Sequence, residues 1–308
     1  MVALAATGWG LWPLFLRHAE GGGQAGQAGQ AGSAIPPSLE AAVAMALLTG
    51  MAGALVLRDR LSVRATRSDW IKIGFLGVAD ALNVILFFAA YQRTSVAIAV
   101  LTHYLTPVLV ALAAPVFLGE PWRRRTFLAV LVSFGGLVLL LAPGLASSLA
   151  SEHGGPAAGH AADLVGAALG AASAVFYASN VIVSKKLVPV FSGSEMAFYH
   201  GLLAVPLLVA LVPQHAWHGV WQSAWHDAPG RGLAWLLAGS VLSGALSGLL
   251  FVWGLRRVCA SHASHLTLIE PLVATLVAGF AFGERLGAGT LAGGVLILIG
   301  AALAVTGR

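Results

Sequence analysis

Asp80 and Glu270 stand deep inside long apolar runs of a chain that carries only 9% charged residues. A carboxylate at the centre of a bilayer is unfavourable by about 2.5–3.5 kcal/mol even on permissive insertion scales, so each must face the protein interior, be neutralised or meet water. Asp80 has Asn83 three residues on, and Glu270 has Thr267 three residues before it, so each acid heads a small polar face on a helix. The chemistry this suits is contact with a substrate amine or exchange of a proton.

Further polar and aromatic positions share this pattern. Ser173, Tyr177, Asn180 and Ser184 step by helical spacing through one apolar run, and Ser240, Ser243 and Ser247 through another. In lipid such stripes must turn inward. His103 and Thr106 lie one turn apart beside Pro107, where an imidazole could relay protons or contact a solute. Trp9, Trp12 and Tyr177 would supply aromatic walls. The candidate binding or coupling residues are therefore Asp80, Asn83, His103, Thr106, Tyr177, Asn180, Ser243, Ser247, Thr267, Glu270, Trp9 and Trp12. Pro107 and Pro271 fall near the middle of their runs, where a missing amide donor interrupts a helix, and are candidate hinges. His262 and His265 are not spaced to join Glu270 on a metal, and no metal or cofactor is expected. Trp217, Trp221 and Trp225, with His215, His218 and His226 beside them, suit an interfacial helix better than a gate.

Long apolar runs must position these residues. With 58% hydrophobic residues in 308 and a mean hydropathy of +0.86, the chain has more apolar surface than a soluble globule buries. Runs of about 20 apolar residues, the length that crosses roughly 30 Å of hydrocarbon, fall at 1–17, 39–57, 70–91, 95–118, 125–142, 163–184, 194–212, 233–254, 260–282 and 288–306. The expected fold is all-α and integral to the membrane, with ten transmembrane helices. A net charge of +5 does not indicate nucleic acid, because Lys and Arg cluster at the ends of the apolar runs. The single Cys259 excludes an intramolecular disulfide.

The chain also repeats itself. An offset of 164 residues carries Pro107 onto Pro271, Gly119-Glu120 onto Gly283-Glu284, Phe87 onto Phe251, Arg93 onto Arg257 and Gly136 onto Gly300. Five runs per copy is an odd number, so the second copy enters the membrane upside down. Charge agrees: with a cytoplasmic N-terminus, only Arg17, Arg93, Arg231 and Arg285 of the 17 Lys and Arg fall outside. The expected organisation is a five-helix repeat over 1–142, with a Gly/Gln-rich loop at about 19–37, an external linker over 143–162 and a second repeat over 163–308. Residues common to both copies, such as Glu120 and Glu284 or Glu40 and Glu195, read as architecture. Asp80, matched by Gly244, and Glu270, matched by Thr106, read as chemistry.

The run from Thr94 to Pro107, then Gly119-Glu120 and Arg123 to Arg125, with its second copy from Ala263 to Glu284, resembles the EamA-type transporters of the drug/metabolite transporter superfamily. The resemblance covers essentially the whole chain outside the Gly-rich loop. It implies two inverted five-helix repeats around a central cavity lined mainly by spans 1, 3, 4, 6, 8 and 9. It further implies alternating-access export or exchange of small metabolites, amino acids or related amphipathic compounds among them. The expected setting is a bacterial inner membrane with both termini cytoplasmic, and the expected partners are a small solute, the bilayer and, as a candidate coupling ion, protons. An uncoupled facilitator or channel is the alternative, and an integral-membrane transferase a more distant one. Oligomeric state is left open.

Overall fold

The structure is a computed structural model that describes residues 1–19, 37–59, 65–150, 156–212, 214, 217, 231–284 and 286–306. The tryptophan stripe at 221 and 225, its neighbouring histidines and the Gly/Gln-rich loop from residue 20 lie outside the described residues. All regular structure among the described residues is helical: α1 (Val2–Gly10), α2 (Trp12–Ala19), α3 (Pro37–Asp59), α4 (Arg67–Tyr91), α5 (Val96–His103), α6 (Thr106–Leu118), α7 (Arg124–Ala150), α8 (Pro156–Leu187) and α9 (Gly193–Val209). There follow α10 (Arg231–Gly239), a π-helical turn (Ser240–Leu246), α11 (Ser247–Leu255), α12 (Ala260–Leu266), α13 (Ile269–Phe282) and α14 (Ala288–Thr306).

Among the described residues seven stretches are long and apolar enough to cross a membrane: Ser38–Arg58, Arg67–Tyr91, Val96–Leu118, Arg124–Ala146, Asp163–Leu187, Gly232–Leu255 and Ala260–Phe282. Gly193–Val209 and Ala288–Ala304 are shorter apolar helices. The first apolar run forms two short helices that meet at Leu11, with Pro13 in the first turn of α2, where its missing N–H needs no partner. Phe280 is 85% exposed and Val116 78%, an arrangement that water opposes and hydrocarbon accepts.

The chain divides into two compact units that interleave the repeats. One comprises Met1–Ala81 and Val183–Arg257, the other Leu82–Ile182 and Val258–Arg308. In the first unit α3 packs on α9, α1 on α11 and α2 on α10. Its cores are Leu48, Ala52, Ala197, Ala245 and Leu249, and Ile73, Leu76, Leu187, Phe191 and Met196. α9 begins with a capping box in which Ser192 and Glu195 satisfy each other's backbone amides.

In the second unit α7 packs along α14, its counterpart in the repeat. The contact is close because a Cβ on Gly136 would meet Gly293 O at 2.6 Å, and one on Gly300 would meet Ala129 O at 2.6 Å. The two contacts are the same pair displaced by 164 residues, so the helices meet about a local two-fold relation built on small residues. Tyr104, Leu137, Leu140, Leu268, Leu272 and Ile297 form this unit's core.

The fourth and ninth runs are each broken in the middle. α5 ends at His103 and α6 starts at Thr106, while α12 ends at Leu266 and α13 starts at Ile269. Pro107 and Pro271 sit in the first turn after each break, as ring geometry requires. The freed carbonyls are partly answered by hydroxyls, since Thr106 donates to His103 O at 2.8 Å and Thr267 to Ser264 O at 2.6 Å. Downstream, Gly119 (φ 65°) and Gly283 (φ 69°) close α6 and α13 in the left-handed conformation. The next amides, of Glu120 and Glu284, reach back to Ala114 O and Ala278 O.

Candidate functional site

The second unit gathers a polar and aromatic cluster at the two breaks. Glu270 lies in the first turn of α13, half-buried, and takes a hydrogen bond from the Tyr104 hydroxyl. Tyr104 is the residue at which α5 stops, so this bond ties one break to the other. Tyr91, at the end of α4, belongs to the same cluster through its ring contact with Phe87. The Phe87 ring is 4.7 Å from that of Tyr91 and 4.3 Å from the His103 imidazole, which lies parallel to Tyr177 at 5.7 Å. His103 thus meets both Phe87 and Tyr177, with Tyr104 edge-on at 5.5 Å.

Hydrogen bonding sets the histidine's tautomer. Ser173 donates to Asn83 Oδ1 at 2.9 Å, so its oxygen is the acceptor for His103 Nδ1 at 2.7 Å, and Nδ1 carries the proton. Asn83, Ser173 and His103 form one directed chain across α4, α8 and α5. Thr106, buried, donates to His103 O and to Ala174 O, so it braces the break. Thr267 is likewise buried, with its hydroxyl on Ser264 O. Asn180 is half-buried one helical turn beyond Tyr177 on α8.

Asp80 belongs to the first unit and faces a residue that sequence reasoning did not single out. His200 Nε2 lies 3.7 Å from Asp80 Oδ2, and His200 Nδ1 is 2.6 Å from Met196 O. Nothing in the spacing of α4 and α9 announces this pair; its one signal was a lone histidine in the middle of an apolar run. In the same unit Trp9 packs on Phe251 with centroids 5.4 Å apart, and the Trp12 indole donates to Glu40 at 3.3 Å. The polar end of Trp12 is therefore engaged with a carboxylate of α3. The Ser247 hydroxyl donates to Leu242 O, five residues back across the π-helical turn, and a Cβ on Gly8 would strike that hydroxyl. Ser243 is 1% exposed and its hydroxyl has no hydrogen-bond partner among the described residues.

The carboxylate common to both repeats at Glu120 has a structural role. It accepts from the amides of Ala260 and Ser261 at 2.6 and 3.3 Å and from the Ser261 hydroxyl at 2.8 Å, capping α12. A small pocket at this end, lined by Pro115, Glu120, Arg123, Thr126, Cys259 and His262, does not include Glu270 or the aromatic cluster. His265 is bonded to Ser133 at 2.9 Å, and no group of three potential metal ligands occurs among the described residues.

Repeated apolar spans and broken helices, all-helical among the described residues, are the architecture of an integral membrane protein. The sequence pattern of the EamA-like transporter family matches residues 1–142 and 164–306. The chain belongs to that family. It is similar to a protein of Archaeoglobus fulgidus described as an uncharacterized transporter, at 31% identity over 238 residues, 77% of each chain. A second uncharacterized transporter, from Clostridium kluyveri, is 24% identical over 231 residues, covering 74% of this chain and 68% of its own. A solved crystal structure shares the fold with a TM-score of 0.72 at 18% identity, covering 100% of this chain and 98% of its own.

Proposed function

We propose that the protein is a secondary transporter of small ammonium-bearing metabolites, amino acids or related amphipathic amines, working by alternating access. The observation that carries this reading is Glu270 bonded to Tyr104, whose ring meets His103 in a cluster with Phe87, Tyr91 and Tyr177. A carboxylate among electron-rich ring faces attracts a cationic nitrogen, by about 2 kcal/mol or more per ring contact when water is excluded. Asn83, Ser173 and Asn180 offer hydrogen bonds for a polar backbone, and the rings accept an apolar side chain.

In this reading the chain crosses a bacterial inner membrane ten times as two inverted five-helix repeats, 1–142 and 163–308, joined by an external linker over 143–162. Both termini are cytoplasmic. The breaks at Pro107 and Pro271 act as hinges. A reporter fused after Arg64 or Arg124 should therefore read cytoplasmic and one within residues 147–159 external; an external reading at Arg124 overturns the inverted arrangement.

The substrate reading is tested by counterflow in proteoliposomes with labelled L-amino acids, simple amines, organic anions and sugars, with and without a pH gradient. Exchange of at least one ammonium-bearing solute is expected. Exchange of anions or sugars alone rejects the reading.

A further inference from the structure

Asp80 lies thirteen residues from Arg67 and eleven from Tyr91 on α4, and His200 lies seven from Gly193 and nine from Val209 on α9. Both are therefore near mid-span, and Asp80 is about 16 Å of helix rise from the nearer end of α4. Their side chains are 16% and 12% exposed, so the pair is neither sealed nor open. The backbones approach closely, because a Cβ on Gly77 would stand 2.7 Å from His200 O.

The hydrogen bonds restrict where protons reside. Met196 O only accepts, so His200 Nδ1 must bear hydrogen. That leaves Nε2 facing a carboxylate oxygen at 3.7 Å. With no further proton, a lone pair would confront an anion in an apolar span. One proton resolves this, either on the imidazole as an ion pair or on the carboxyl as a neutral pair, and both forms have zero net charge. Losing that proton takes the pair from zero net charge to one negative charge at mid-span.

Several other charged groups of the same unit are engaged elsewhere or stand at helix ends. Glu195 on α9 belongs to the capping box, Asp69 and Lys72 on α4 pair at 2.9 Å, Glu40 on α3 accepts from Trp12, and Arg256 at the end of α11 donates to Phe191 O. Lys185 donates to Leu255 O, and Arg58 stands at the end of α3.

We propose that Asp80 and His200 form a one-proton site, loaded from water on one side of the membrane and discharged to water on the other during the transport cycle. The proposal rests on the transporter reading above but not on its substrate. The proton is taken up by the pair and returned to water, with no other bond made or broken.

Nuclear magnetic resonance of the full chain in lipid nanodiscs, with nitrogen-15 in its histidines, follows the pair without any substrate. The signal missing from His200→Gln identifies His200. In the wild type it should titrate with Nδ1 protonated throughout, and in Asp80→Asn its titration should move to lower pH by about a unit or more, since the partner charge is gone. An unchanged titration in Asp80→Asn overturns the pair, and His200→Asn supplies the assignment if His200→Gln does not fold.

Uptake of labelled L-amino acids and simple amines across a pH gradient then tests coupling. Asp80→Asn and His200→Gln should each lose the stimulation that an imposed gradient gives the wild type, while Asp80→Glu retains it. Gradient-stimulated uptake persisting in both neutral variants overturns the coupling role. If His200 titrates with Asp80 as stated but neither amino acids nor simple amines are carried under any gradient, the substrate reading fails and the proton site stands.

Discussion

The fourth and ninth spans, Val96–Leu118 and Ala260–Phe282, are copies of one design that have been put to different uses. Each is a short helix, a break, a proline in the next turn, a longer helix and a left-handed glycine followed by a glutamate. Yet the position that bears Thr106 in one bears Glu270 in the other, and the position of Tyr104 corresponds to Leu268. Thr106 turns its hydroxyl onto two carbonyls and braces the backbone, whereas Glu270 takes the Tyr104 hydroxyl across the breaks. The starts differ too: Ser95 caps α5 with its own oxygen, whereas Cys259 gives α12 no side-chain cap and Glu120 supplies one from the end of the other copy. The two copies keep what the backbone requires and differ in the side chains at the breaks.

The strongest way to sharpen this contrast is to exchange the unmatched residues. Glu270→Thr, which makes the spans alike, should reduce amine or amino-acid counterflow at least about tenfold, corresponding to about 1.4 kcal/mol or more of lost interaction. Adding Thr106→Glu should not restore it, because the second acid lacks Tyr104 opposite. Full counterflow in Glu270→Thr breaks the proposed division of roles. Glu270→Gln should leave melting in detergent unchanged or raised, since neutralising a carboxylate held in an apolar span relieves a desolvation penalty.

The shared skeleton should respond alike in both copies. Gly119→Val and Gly283→Val each force a branched residue into the left-handed region and should lose about 1–2 kcal/mol of stability or more. Matching losses in melting temperature are expected; a loss in one copy alone would show that the glycines are not equivalent. Glu120→Ala should be destabilising by about 1–2 kcal/mol through the cap on α12, against about 1 kcal/mol for Ser95→Ala on α5. The smallest effects belong to Pro107→Ala and Pro271→Ala, which should each change stability by less than about 1 kcal/mol because both prolines lie in a first turn where no amide is missed. Their readout is the rate of counterflow.

The sequence disclosed the parts of this molecule that depend on local rules. Length and hydropathy located Arg67–Tyr91, Gly232–Leu255 and Ala260–Phe282 to within a few residues, since a bilayer imposes one length on every span. The prolines announced the breaks because the missing donor acts within its own helix. Partnership across helices was less legible. His200 and Asp80 are separated by 120 positions, and no periodicity on α4 refers to α9. Tyr91 and Tyr104 were not singled out as part of the Glu270 cluster because an aromatic residue in an apolar run looks like core or lipid anchor until its ring is placed. Trp12 shows the reverse: read as an aromatic wall, it has its indole hydrogen bonded to Glu40, a residue known from the repeat only as architecture.

The π-helical turn at Ser240–Leu246 has a consequence for numbering along its span. Above it, α10 is fitted to α2, with Gly239 against Phe15 and Trp235 beside Phe15 and His18. Below it, α11 is fitted to α1, with Trp9 on Phe251. The facing run is itself interrupted at Leu11, so its two halves need not present their grooves in one phase. A continuous α-helix advances 100° per residue and could be matched to only one of them. The span is thus indexed twice, once against each half of the first run, and the extra residue in its wide turn is what lets the two indices differ.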